Sequence, residues 1–155
     1  METKHIFIAS SSELKKERLE LVDLLEDLSQ ETHKTTGIKF KPELWEYVDS
    51  SMREERKEDE YLDRLKESDM CTILFWKTLG RYTVEELEVA IAEMQAGRKP
   101  KNIYVLFKEP TENIEPALYA FKEHFIEQYP NIQTELFTTI QELRDKVSRL
   151  IIQTS

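Results

Sequence analysis

The 155 residues suffice for one domain with a substantial core. With 22 Lys and Arg against 31 Asp and Glu, the formal net charge of −9 argues against direct nucleic-acid binding and against an anionic membrane surface. A single cysteine, Cys71, excludes an internal disulfide and three glycines exclude a glycine-rich phosphate loop; no apolar run reaches the length of a signal peptide or a membrane span, so the expectation is a soluble cytoplasmic domain.

His5-Ile6-Phe7-Ile8-Ala9 predicts a first strand that ends in Ser10-Ser11-Ser12. Leu14, Leu21, Val22, Leu25 and Leu28 then recur on one face of a helix, and Gly37 punctuates. Ile38-Lys39-Phe40-Lys41 alternates apolar and charged residues before Pro42, which suits an edge strand. Residues 51–67 are highly charged, with Leu62 and Leu65 as a narrow buried stripe. Cys71-Thr72-Ile73-Leu74-Phe75-Trp76 is nearly continuous apolar, as a strand covered on both faces should be. A third helix follows, with Val84, Leu87, Ile91 and Met94 at spacings of three and four, stopped by Gly97 and Pro100. Ile103-Tyr104-Val105-Leu106-Phe107 is another central strand, and Ile114, Leu118, Phe121 and Phe125 mark a fourth helix. Residues 132–137 alternate as a second edge strand, and Thr139-Ile140-Gln141-Glu142 opens the last helix, with Leu143, Val147 and Ile151 inside.

Five strands alternating with five helices predict an α/β protein, a flavodoxin-like three-layer sandwich around a five-stranded parallel sheet. Strands two and five as edges and one, three and four as central strands match the order 2-1-3-4-5. Residues 1–155 form a single domain with no internal repeat or linker, compatible with being the N-terminal effector part of a longer protein. In such sheets ligands bind beyond the carboxyl ends of the strands, where the winding direction switches. Here the switch lies between strands one and three. It gathers Ser10-Ser11-Ser12, the loop from Trp76 to Tyr82 and the start of the third helix, with Leu44-Trp45-Glu46 as a wall. A helix N-terminus favours an anion near Ser11 and Ser12, and Trp45 and Trp76 are candidates to hold a flat ring. Equally, Ser12 serves as a helix cap and the tryptophans as rim of the core.

Gly80-Arg81-Tyr82-Thr83-Val84-Glu85-Glu86-Leu87-Glu88-Val89-Ala90 admits two readings. Thr83 followed by Glu86 is a capping-box pattern, in which the glutamate serves the backbone. Alternatively Glu86 is a carboxylate at the mouth of an active site. At about 100° per residue, Glu85 lies opposite the apolar stripe as a solvated charge. Glu86 and Glu88 flank the stripe, and Glu86 shares its side with the small Ala90, which leaves room for a ligand. Thr139 and Glu142 repeat the capping pattern where no site is expected. Cys71, at the strand end away from the crevice, reads as a small buried hydrophobe. His5, His33 and His124 have no partner at metal-ligand spacing. The run from Arg53 to Glu60 reads as a solvated helix with i,i+4 pairs.

Several segments together resemble the TIR-like domains of bacterial defence and signalling proteins, in the branch attached to NTPase, repeat or ligand-sensing modules. The first carries an E-L-x-x-E-R helix start after a serine run: Ser10-Ser11-Ser12-Glu13-Leu14-Lys15-Lys16-Glu17-Arg18. The second is Trp45-Glu46 followed by Arg56-Lys57-Glu58-Asp59-Glu60-Tyr61-Leu62, which departs from the branch at Glu58 and Leu62. The third runs through Asp69, Leu74-Phe75, Gly80-Arg81-Tyr82-Thr83-Val84-Glu85-Glu86 and Gly97-Arg98-Lys99-Pro100, with one extra residue in the last. The resemblance spans about residues 5–108. TIR domains and the related nucleoside deoxyribosyltransferases share a glutamate opening the third helix, followed by an apolar residue and, four residues on, by alanine. Glu86-Leu87-Glu88-Val89-Ala90 fits that frame and Glu85 does not.

The resemblance implies Glu86 as the catalytic carboxylate and NAD as the substrate, with no cofactor and no metal, cleaved between nicotinamide and ribose. It further implies Ser10, Ser11, Trp45, Trp76, Tyr82, Arg56 and Tyr61 as substrate-binding residues, self-association as the route to activity, and a fused or separate sensor module as partner. The rivals are a non-catalytic oligomerisation module, a nucleoside deoxyribosyltransferase-like or nucleotide-hydrolysing N-glycosidic enzyme, and, more distantly, a flavodoxin-like flavin carrier. A phosphoacceptor receiver is disfavoured, because the third strand ends in Trp76-Lys77 with no aspartate.

Overall fold

The computed structural model describes residues 2–44, 62–109 and 113–154. Five parallel strands, β1 (Glu2–Ser10), β2 (Ile38–Leu44), β3 (Met70–Phe75), β4 (Asn102–Lys108) and β5 (Gln133–Phe137), form one sheet in the order β2-β1-β3-β4-β5. The helices are α1 (Lys15–Thr35), a short segment α2 at residues 62–67, α3 (Arg81–Gln95), α4 (Pro116–Gln128) and α5 (Ile140–Thr154). A 3-10 turn, Ser12–Leu14, precedes α1. This is the predicted flavodoxin-like α/β architecture, edges and centre included.

Side-chain alternation along the central strands builds two cores. Ile6, Ile8, Leu74 and Leu106 meet the layer of α1 and α5. Phe7, Ile73, Phe75 and Val105 meet α2, α3 and α4. All six residues of β3 are buried, which is why that strand reads as an uninterrupted apolar run. α1 buries Leu24 in addition to the expected Leu21, Leu25 and Leu28, while Val22 packs at the margin. One guanidinium ties α5 to α1: Arg144 donates to Glu20, Asp23 and Asp27.

Two expected boundaries move. β1 begins at Glu2 because residues 2–4 pair with residues 38–40 of β2. β2 runs through Pro42, opposite Ile6, since an edge strand tolerates a residue that cannot donate. Gly97, at φ +79, ends α3 in a Schellman motif: its own N–H donates to the Met94 carbonyl, and the Arg98 N–H to that of Glu93.

Candidate active site

The chain leaves β1 at Ser10 and β3 at Phe75, with Ser10 registered on Leu74. From β1 it turns into the α1 layer, and from β3 into the opposite layer of α3. The crevice between these departures is where the topology expects a ligand.

Glu86 is buried, at 4% exposure, among the first turns of α3. Its neighbours explain the placement. Leu87, Ala90 and Ile91 are all buried against the sheet and pull that face of the helix inward. Ala90 is fully buried in this core, so its small size serves close packing of α3 and not, as the sequence suggested, room for a ligand. Glu88 is exposed, whereas Glu85 is partly buried and not the fully solvated charge expected.

The capping-box reading is overturned. α3 starts at Arg81 with Gly80 in the N-cap position and no side-chain cap. Thr83 is therefore inside the helix, and Glu86 lies beyond the first turn, where no free backbone N–H remains to be served. The same pattern at α5 is a working cap, because the Glu142 N–H donates to Thr139 Oγ1 at 3.1 Å. Identical spacing thus has a capping job at α5 and none at α3. Ser12 likewise caps nothing, being the first residue of the 3-10 turn, with no side-chain cap on that turn or on α1.

Gly80 lets the loop close on β1. A Cβ there would meet Thr83 Oγ1 at 3.2 Å and Ser11 Cβ at 3.3 Å. Both distances are tight, and Thr83 is itself buried. Gly80→Ala is expected to lower stability by about 1 kcal/mol and to move the start of α3. Thermal melting checks the first effect and amide chemical shifts of residues 80–86 the second.

Ser10 and Ser11 are held from α1. Arg18, 5% exposed, donates through Nη1 to Ser10 Oγ and, at 2.8 Å, to the Ser11 carbonyl. That carbonyl also accepts the Leu14 N–H at 3.1 Å. Ser11 Oγ is buried with no hydrogen-bond partner among the described residues.

Trp76 stands just past the end of β3. Phe75 points into the α3 layer, and Trp76 packs on the α1/α5 core. The Lys108 ammonium lies 3.9 Å from the centre of its ring and that of Lys77 4.4 Å. Lys108 in turn pairs with the buried Glu17 at 2.7 Å. Trp76 also lines a small cleft with Phe107, Ile114, Leu118 and Tyr119 on the α4 side, so it stands at the end of the sheet between the two layers. Tyr82 is exposed in the first turn of α3. Trp45, Arg56 and Tyr61, with the charged run from Arg53 to Glu60, lie outside the described residues.

Four residues that sequence reasoning left unassigned organise the crevice. Glu13 accepts from Lys77 N–H, Thr78 N–H and Thr78 Oγ1. Glu17 holds Lys108, Arg18 holds the serine loop, and Glu115 accepts the Leu79 N–H at 3.4 Å. The E-L-x-x-E-R pattern was the signal for three of them. Each of its fixed positions has a physical task, including Leu14, which is fully buried.

Electrostatics ties Glu86 to the strand beneath it. Burial pushes the Cys71 thiol well above its ordinary pKa, and the negative charge of Glu86 adds to the shift. Cys71 is the buried free cysteine of β3, as expected.

A second cleft, of about 760 Å³, lies beside the N-terminal halves of β1 and β3. Two of its carboxylates, Glu43 and Asp69, already hold cations. Glu43 faces His5, Lys41 and Arg64, and Asp69 faces Lys99. Burial alone would raise the Asp69 pKa, but the His5 N–H and the Lys99 ammonium outweigh it and hold the carboxyl below its usual value. Among the described residues no group of three or more His, Cys, Asp or Glu could hold a metal ion, and no helix is long and apolar enough to cross a membrane.

No protein-family model and no curated protein matches the sequence. Among solved structures, the chain is similar to a CMP N-glycosidase from Clostridium botulinum, at 19% identity and a TM-score of 0.56, over 95% of this chain and 99% of that one. A de novo designed Rossmann 2x3 fold protein aligns at 14% identity and a TM-score of 0.46, over 97% of this chain and 90% of the design. At such identities the likeness to the glycosidase speaks for a shared fold: a Rossmann-like sandwich whose sheet runs β2-β1-β3-β4-β5.

Proposed function

We propose that the chain hydrolyses an N-glycosidic bond with Glu86 as its catalytic carboxylate, and that the substrate is NAD, cleaved between nicotinamide and ribose. One observation supports the reading: Glu86 is buried in the first turns of α3, the helix that follows the switch in winding, in a position where it has no capping task. A buried carboxylate is costly to keep, and one on the helix that leaves the switch point argues for chemistry. The structural neighbour acts on the same class of bond, which supports the glycosidic part of the reading.

The choice of NAD follows from the acid–base demand. Nicotinamide leaves with the electron pair of the C1′–N bond, which quenches its own pyridinium charge, so no general acid is required. Cytosine departs from a CMP-like substrate as an anion unless something protonates it. Among the described residues the buried carboxylates are Glu17, Glu43 and Glu86. Glu17 is committed to Lys108, and Glu43 to His5, Lys41 and Arg64. The reading therefore assigns a single carboxylate, Glu86, to the chemistry, which a cationic leaving group allows. As the bond breaks, positive charge grows on the ribosyl centre, and Glu86 stabilises it across a short distance in a dry site. Water then bonds to C1′ and gives up a proton, which Glu86 accepts and passes to solvent. The products are nicotinamide, ADP-ribose and that proton.

In this reading the protein is a TIR-like effector of bacterial defence that works when self-assembled, with a fused or separate sensor module as its trigger. The deciding experiment incubates the protein at high concentration with NAD, CMP and a panel of nucleosides, and follows the released base by chromatography. Nicotinamide release from NAD is expected, with little base from the others. Release of cytosine from CMP without nicotinamide would reassign the substrate to a nucleoside monophosphate. No released base from any of them would leave the interaction-module reading in its place.

A further inference from the structure

We propose that Glu13 is a positioning residue for the Glu86 site: its carboxylate fixes the loop from which α3 starts. The proposal rests on the glycosidic reading above.

Glu13 sits in the 3-10 turn between β1 and α1, partly buried. One of its oxygens, Oε1, accepts two successive backbone N–H groups, Lys77 at 2.9 Å and Thr78 at 3.0 Å. The other, Oε2, accepts the Thr78 hydroxyl at 3.0 Å. Hydrogen bonds to an ionised acceptor are about twice as strong as neutral ones, and these three join the loop after β1 to the loop after β3. From the other flank, the Glu115 N–H donates to the Lys77 carbonyl at 2.9 Å, and Glu115 Oε2 takes the Leu79 N–H. The stretch from Lys77 to Leu79 is thus clamped between two carboxylates. Immediately after it, Gly80 closes on Ser11 and Thr83, and α3 begins at Arg81. Glu86 rides on that helix, so its position relative to β1 depends on how the loop is held.

A displacement of about 1 Å at a reacting group costs on the order of 10²-fold in rate. A loop with its clamp removed therefore lowers turnover more than substrate affinity. The chemistry of the clamp also predicts which substitution is tolerated. In Glu13→Gln the amide oxygen still faces the two N–H groups, and the amide NH₂ donates to Thr78 Oγ1 after the hydroxyl rotates. In Glu13→Ala the two backbone donors lose their acceptor.

The test compares Glu13→Ala, Glu13→Gln and Glu86→Gln in nicotinamide release by the full chain, alongside amide hydrogen exchange. Glu13→Ala is expected to lower kcat by about 10- to 100-fold with KM little changed, and to speed exchange at Lys77, Thr78 and Leu79. Glu13→Gln is expected to stay close to wild type in both. Should Glu13→Ala fold poorly, Thr78→Val removes one bond of the three and is expected to show the same kcat effect in smaller measure. A wild-type kcat in Glu13→Ala, with Glu86→Gln inactive, overturns the positioning role and leaves the glycosidic reading standing. So does a loss confined to KM, or unchanged exchange at residues 77–79. An active Glu86→Gln protein overturns the reading and this inference with it.

Discussion

Glu86→Gln is expected to abolish detectable nicotinamide release, with kcat lower by at least about 10²–10³-fold, the range seen when one transition-state stabilising group is lost. Glutamine keeps the shape and the hydrogen-bonding oxygen but removes the charge that opposes the ribosyl cation. The loss should therefore fall on kcat, with KM nearly unchanged, because the interaction strengthens only as the bond breaks. The helix start should survive, since α3 is not capped by this side chain. Far-UV circular dichroism and melting on the same preparation check that point. Glu85→Gln and Glu88→Gln serve as controls: Glu88 is exposed and Glu85 only partly buried, so both should retain activity. Wild-type release from Glu86→Gln would sink the assignment.

Glu17→Ala is expected to lower stability by about 3 kcal/mol, as for other buried pairs left with one partner. Glu17 is 3% exposed and its oxygen lies 2.7 Å from Lys108 Nζ, which in turn rests over Trp76. Removing the carboxylate leaves an ammonium facing an apolar rim. Denaturant unfolding measures the loss, and the indole emission of Trp76 should shift as Lys108 leaves its ring. The double variant Glu17→Met/Lys108→Met should recover most of the stability, because matched apolar groups replace both charges. A double variant no more stable than Glu17→Ala would show that packing, and not the orphaned charge, governs the site.

Much of the fold was legible because the strands announce themselves. β3 and β4 are apolar on both faces, while β2 and β5 alternate, so centre and edge could be told apart before the sheet order was known. The crevice followed from that order. Side-chain tasks were harder to read. Thr83 and Glu86 carry the spacing of a cap, but the helix starts earlier, at Arg81, because Gly80 packs directly on Ser11. Trp76 looked like a ring platform for a ligand. It stands at the end of β3, where it packs on the α1/α5 core and Lys108 lies over its ring. Glu13 was marked only by the E-L-x-x-E-R pattern, and its task was not legible for a different reason. Its partners lie 64 and 65 residues away, and a carboxylate that serves backbone N–H groups leaves no partner pattern in the sequence.

The turn from Glu13 to Arg18 reaches three different parts of the sheet's upper edge: the loop after β3 through Glu13, the end of β4 through Glu17, and the end of β1 through Arg18. These attachments depend on the angular order of the side chains as well as on their identity. Adding or deleting one residue within the turn would rotate everything after it by about 100°, so two of the three ties would be lost together. Substitutions there can be compensated one at a time, but a change of length cannot. The turn should therefore behave as an indivisible cassette, with its length under tighter constraint than any single one of its residues.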